Sequence, residues 1–186
     1  ATTRKMLAPS LLLVLLVLGG VTARCLYTPD ANGHVVVPDG VTSIGRDAFH
    51  YCKSLVSIVL PEGLTSIGKY AFREATSLES VSFPKSLISI GREAFYNATS
   101  LASVSFSEGL TFISDYAFYN ATSLESVSFP KSLISIGREA FYNATSLASV
   151  SFQEGLTSIG KRAFHNTLLT EADVALPASL VGEMKR

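Results

Sequence analysis

Apolar residues recur in the order L-x-x-V-x-F-P-x-x-L-x-x-I-G-x-x-A-F, and the order returns every 23 residues in six units that begin at Val41, Leu64, Leu87, Leu110, Leu133 and Leu156. Within 78–100, "LESVSF" sends Leu78, Val81 and Phe83 inward and Glu79, Ser80 and Ser82 outward, which predicts a short strand. "PKS", or "PEG", "SEG" and "QEG" in other units, is a turn. "LISIG" predicts a second extended piece with Leu87 and Ile90 inward. "REAFYNA" is too short for a stable helix and reads as one helical turn that buries Ala94, Phe95 and Ala98. No unit can bury its apolar face alone, so the units are expected to stack into a β-rich repeat solenoid with short helical turns, a superhelix of six 23-residue units.

A second period of 46 residues overlies the first, because 75–106 and 121–152 are identical. That identity marks a duplicated two-unit block. Half units flank the array: "VVVPDG" at 35–40 matches "IVLPEG" at 58–63, and "VALPASL" at 174–180 resembles "VSFPKSL". Fading ends are what a stacked core needs as caps. The expected divisions are a leader at 1–23, an N-terminal cap and half repeat at 24–40, the array at 41–163 and a C-terminal cap with a degenerate half repeat at 164–186.

The motif AF-x-x-[C/A]-x-x-L-x-x-V-x-F-P-x-x-L-x-x-I-G, met six times over about 35–180, resembles the BspA-like class of leucine-rich repeats. The small position, often Cys in that class, is kept by Cys52 and replaced by Ala75, Ala98, Ala121 and Ala144. The chain lacks the Asn ladder of the more familiar leucine-rich repeats. The resemblance implies a secreted or cell-surface protein with a role in adhesion or protein binding; that implication is an analogy of fold.

Arg4 and Lys5 precede "LLLVLLVL" at 11–18 and small residues at Val21 and Ala23. This is the layout of a cleaved secretory signal, with a membrane anchor or a buried helix as the lesser readings of the uncharged stretch 6–23, and no membrane span is expected in the mature chain. Charge is balanced at 15 basic and 15 acidic residues, so nothing draws the chain toward nucleic acid. Export would place Cys25 and Cys52 where a disulfide persists. They are a candidate pair; the alternative is a buried Cys52 and a free Cys25.

Catalytic chemistry is not expected. His50 and His165 share one repeat position but lie five units apart, about 24 Å at roughly 4.8 Å per stacked strand. No Cys/His pair has zinc spacing, no phosphate loop is present, and no cofactor is implied. The serines form columns without a base beside each of them.

Three outward columns are candidate binding surface. One is Ser80, Ser82, Ser103, Ser105, Ser126, Ser128, Ser149 and Ser151. Another runs through His50, Arg73, Tyr96, Tyr119, Tyr142 and His165, whose tyrosines suit an interface or a ladder packed on itself. The third, Arg46, Lys69, Arg92, Asp115, Arg138 and Lys161, reads as a solvated face offset by Asp47, Glu93 and Glu139. Phe112, where other units have Ser, is the first choice for a hot-spot residue. Asn97, Asn120 and Asn143 begin Asn-Ala-Thr and are candidate N-glycosylation sites. Asn and Thr each occupy four of six units and coincide in three, which independent occupancy would give, so the column reads first as a turn.

The leading expectation is a monomeric secreted or surface-displayed scaffold that binds extracellular protein or glycoconjugate. A structural spacer without a dedicated ligand is the alternative. An ice- or mineral-binding solenoid is a third reading, weakened because Ile88 and Ile134 interrupt the Thr column.

Overall fold

The computed structural model describes residues 25–170. The expected leader and most of the C-terminal cap lie outside the described residues. Twelve short strands alternate between two parallel sheets. Sheet A stacks β1 (His34–Val36), β3 (Ser57–Val59), β5 (Ser80–Ser82), β7 (Ser103–Ser105), β9 (Ser126–Ser128) and β11 (Ser149–Ser151) in sequence order. Sheet B stacks β2 (Ser43–Ile44), β4 (Ser66–Ile67), β6 (Ser89–Ile90), β8 (Phe112–Ile113), β10 (Ser135–Ile136) and β12 (Ser158–Ile159). Each strand pairs with the residue one repeat on, as in Val81 with Val104 and Ile90 with Ile113, so the period of the sequence is the pitch of a β-solenoid.

The inward positions fill the space between the sheets in columns. Val81, Ile90, Leu78 and Leu87 and their equivalents are buried, except Val41 in the first unit, which is partly buried. Beside them Phe49, Phe72, Phe95, Phe118, Phe141 and Phe164 stack face to face, with centroids 5.0, 4.9, 5.0, 5.1 and 5.2 Å apart. A second column, Phe83, Phe106, Phe129 and Phe152, meets the first edge-on, as Phe106 meets Phe118 at 5.9 Å. Stacked and edge-to-face contacts favour one register over its neighbours. A slip by a single residue would turn these side chains to solvent.

The expected helical turn is absent: the described residues contain no helix. In 91–98 Ala94, Tyr96 and Ala98 donate their N–H groups to the carbonyls three residues back, at 3.2, 3.3 and 3.1 Å. Between them, Glu93, Phe95 and Asn97 donate to Asp115, Ala117 and Tyr119 of the following coil at 3.0, 2.7 and 2.9 Å. Glu93 and Asn97 hold φ of 54° and 58°, left-handed values that end helical continuation. Stacking thus takes every second amide that a helix would have used internally, and the segment becomes a chain of tight turns.

Glycine has a steric role at the close of four sheet B strands, at Gly68, Gly91, Gly137 and Gly160, whereas Gly45 has open space and Ser114 closes β8. A Cβ on Gly91 would come within 2.8 Å of the Gly68 carbonyl carbon and the Ile67 oxygen. The coils approach too closely there for a side chain.

Candidate functional site

The solenoid presents three kinds of surface: the outer face of sheet A, the outer face of sheet B and the side formed by the turn segments. The candidate residues are divided among them and do not form one face.

Sheet A carries the serine columns. Ser80 and Ser82 lie in register with Ser103 and Ser105, as do Ser126 and Ser128 with Ser149 and Ser151, and all eight are exposed. Alternation along the strand puts both serines of each "SVS" outward around a buried valine. At the N-terminal end the same columns hold His34 with Val36 and Ser57 with Val59. His34 Nδ1 lies 2.6 Å from Ser57 Oγ. The nearby Asp30 carboxylate instead accepts the backbone N–H groups of His34 and Asn32 at 2.9 and 2.8 Å, which hold its pKa below the ordinary carboxylate value. It does not orient the imidazole as a triad acid would.

Sheet B is apolar at its middle. Phe112 pairs in register with Ser89 and Ser135 of the flanking coils and is 46% exposed. One position before those serines stand Ile88 and Ile134, 49% and 41% exposed. The threonines of that column are satisfied within the solenoid: Thr65, Thr111 and Thr157 donate their hydroxyls to the carbonyls of Thr42, Ile88 and Ile134 at 2.9, 3.0 and 3.1 Å. Ten of the eleven phenylalanines belong to the two stacked columns, and Phe112 is the eleventh.

On the turn side Tyr96, Tyr119 and Tyr142 stack with centroids 4.9 Å apart at each step. Arg73 closes one end, its guanidinium carbon 4.3 Å from the Tyr96 centroid, and His165 closes the other at 5.3 Å from Tyr142. The rings are half-buried and spend their faces on one another. Burial, followed by the neighbouring Tyr96 and Tyr142, pushes the Tyr119 phenol above its ordinary range.

Beside the tyrosines runs a ladder that the repeat pattern alone did not disclose. Asn97 Nδ2 donates to Glu74 Oε1 at 2.8 Å, Asn120 Nδ2 to Asn97 Oδ1 at 2.7 Å, and Asn143 and Asn166 continue the series. The signal for it was present, since Asn tolerates left-handed φ and carries a donor and an acceptor side by side.

The charged column is also more ordered than a solvated face. Glu93 and Glu139 are buried. Glu93 pairs with Arg73 and with Arg92, the latter at 3.1 Å, and Glu139 with Arg138 at 3.2 Å and Arg162 at 4.0 Å. The bond to Glu93 holds the Arg92 guanidinium more basic than usual. Tyr70 and Tyr116 alternate with these glutamates along the column. The Tyr70 ring has Lys69 Nζ at 4.5 Å, and the guanidinium carbons of Arg46 and Arg73 at 5.4 and 5.5 Å.

Cys25 and Cys52 are joined by a disulfide with 5.3 Å between Cα atoms, fastening the start of the described chain to the first coil. Among the described residues no group of three or more His, Cys, Asp or Glu could hold a metal ion, and no helix is long and apolar enough to cross a membrane.

A parallel two-sheet solenoid with these columns is a leucine-rich-repeat scaffold. The profile described as the BspA type leucine rich repeat region matches six copies over residues 23–120 and 66–182, and the chain belongs to that family. Solved structures agree. A T. pallidum leucine rich repeat protein is 30% identical with a TM-score of 0.67, covering 75% of this chain and 79% of its own. A leucine rich cell surface protein from Faecalibacterium prausnitzii A2-165 is 29% identical with a TM-score of 0.68, over 74% of this chain and 40% of its own. The Pneumococcal vaccine antigen PcpA is 32% identical with a TM-score of 0.61, over 69% of this chain and 34% of its own. The chain thus spans well under half the length of the latter two. No curated protein matches it significantly.

Proposed function

We propose that the protein is a secreted or surface-displayed recognition scaffold without catalytic activity, and that it holds extracellular partners through its exposed strand faces. The observation that carries this reading is Phe112, half-exposed between Ile88 and Ile134 on sheet B while every other phenylalanine is stacked in the core columns. An aromatic anchor rimmed by aliphatic and small polar residues is the composition of a protein-binding hot spot. The Tyr96–Tyr119–Tyr142 stack is the weaker surface, because its ring faces are already used. Ser89 and Ser135, in register with Phe112 on the flanking coils, supply its small polar surroundings, and the serine face of sheet A is a separate surface. The similarity to a leucine rich cell surface protein and the Cys25–Cys52 bridge support an extracellular setting. The Ser57–His34 pair, without an acid behind the imidazole, gives no support to a hydrolase.

The repeat supplies its own control for the test. Ser stands at the Phe112 position in every other unit, and Thr at the Ile88 and Ile134 positions in the rest. A screen against extracellular-matrix and surface proteins, run with the wild type, F112S and the Y96A/Y119A/Y142A variant, is expected to find a partner that F112S loses. Undiminished binding by F112S would reject the patch.

The identity of 75–106 with 121–152 favours a second reading, a spacer that lengthens by duplication. Absence of any partner in the same screen supports it.

A further inference from the structure

We propose that an open cleft at the N-terminal end of the turn side binds an acidic sugar residue, one that carries a carboxylate or a sulfate ester, within a larger glycan. The cleft encloses about 430 Å³ and is lined by Arg46, Asp47, His50, Tyr51, Tyr70 and Arg73. It lies on another surface than the Phe112 patch and names the glycan class that the extracellular reading leaves open, on which it rests.

The charge comes first. Arg46, Lys69 and Arg73 gather around one tyrosine ring at 4.5 to 5.5 Å, with Arg92 behind them on Glu93. Facing these four cations are Asp47, which takes Arg46 at 3.3 Å and lies 3.6 Å from His50 Nδ1, and Glu93, which takes Arg73 and Arg92. Glu74, next along the chain, is turned into the asparagine ladder. Among the described residues Lys69 has no carboxylate partner, and the side chain of Arg46 is 65% exposed. Asp47 offsets Arg46 and Glu93 offsets one of Arg73 and Arg92, so the surplus is positive; Lys69, which carries part of it, stands on the Tyr70 ring beside the six lining residues and not among them.

The same contacts hold the cations in place. A cation over an aromatic face, or a guanidinium already bonded to a carboxylate, loses less rotamer freedom when an anion arrives.

The rest of the lining selects the source of the anion. None of the six lining residues is aliphatic, and three present aromatic or imidazole rings, two with hydroxyl tips. Apolar ring bodies suit the C–H face of a pyranose, and the hydroxyls and guanidiniums suit its oxygens. An acidic peptide such as poly-glutamate brings the anion without the ring C–H faces that these aromatic bodies would cover.

The cleft is not a by-product of repetition. One duplicated block later, Tyr116 keeps Arg92 and Arg138 at 5.3 and 5.9 Å, but Asp115 stands where Lys69 does and Tyr119 where Arg73 does. Only the first block combines the ring with the full set of cations.

Calorimetric titration of the full chain with trigalacturonic acid, a chondroitin sulfate tetrasaccharide, maltotriose and a poly-glutamate peptide tests the assignment. At least one acidic saccharide is expected to bind; carboxylate against sulfate is decided by which of the two is tighter. Maltotriose and the peptide are expected not to bind. R46A/K69A, and K69D, which copies the Asp115 unit, should weaken saccharide binding about tenfold or more with unchanged thermal denaturation. F112S should leave it unaffected, so that failure of the protein-binding patch and failure of the cleft are told apart. No acidic saccharide binding, equal affinity for maltotriose or the peptide, or wild-type affinity in R46A/K69A would each overturn the proposal.

Discussion

The side-chain amide of Asn120 donates to the side-chain oxygen of Asn97 across 2.7 Å, and both residues hold left-handed backbone angles, φ 60° and 58°. One column of asparagines therefore solves two problems. It relaxes a backbone conformation that most residues resist, and it ties each coil to the next by an amide pair.

Replacing Asn120 with Ala should remove both benefits and lower stability by about 1–3 kcal/mol. Asn120→Gly keeps the backbone freedom and loses only the side-chain bonds, so it should fall between wild type and Ala. Urea denaturation of the three proteins gives the order; an Ala variant as stable as wild type would show that the ladder contributes nothing.

The same geometry bears on the sequons. Asn97, Asn120 and Asn143 follow one another at single-repeat intervals, and the side chains of the latter two donate along the ladder. Glycans on adjacent coils would crowd each other and disturb that donor series. Mass spectrometry of protein secreted from a eukaryotic host should find incomplete occupancy, and full modification of all three sites would contradict this.

Phe118 and Phe112 are six residues apart in sequence and opposite in role. Phe118 is fully buried, stacked on Phe95 and Phe141 and edge-on to Phe106. Phe118→Ala should cost about 3–5 kcal/mol, whereas Phe112→Ser should change stability by no more than about 0.5 kcal/mol. Thermal or chemical denaturation separates them, and similar losses would mean that Phe112 also packs in the core.

Tyr119 predicts a response to alkali. Burial, and then Tyr96 and Tyr142, raise its phenol above the ordinary value of 10.0. The unfolded chain releases that proton first, so the stability linked to it is intact below the unfolded value and declines as pH rises through the folded one. Absorbance titration near 295 nm should show one late-titrating tyrosine that Tyr119→Phe removes, together with a shallower alkaline loss of stability. A titration curve unchanged by the substitution would refute the assignment.

The core columns were legible because each depends only on spacing: an inward residue recurs every 23 positions whatever its neighbours do. The segment 91–98 misled because single-chain reasoning sees the local pattern of Ala94, Phe95 and Ala98 and fills it with a helical turn. The structure gives half of those amides to the next coil. Glu93 was read as part of a solvated face for the same reason. Its partner Arg73 is 20 residues away, and only stacking brings them together.

By itself the sequence determined the repeat, its period, which residues face inward and the class of solenoid, since binary patterning within one unit is enough to specify burial. The tertiary structure decided what happens between units: the turn geometry, the asparagine ladder, the buried glutamates, the Cys25–Cys52 link and the gathering of Arg46, Lys69 and Arg73 around Tyr70. Those features need side chains from different coils at contact distance, and that distance is set by the hydrogen-bonded spacing of the stack.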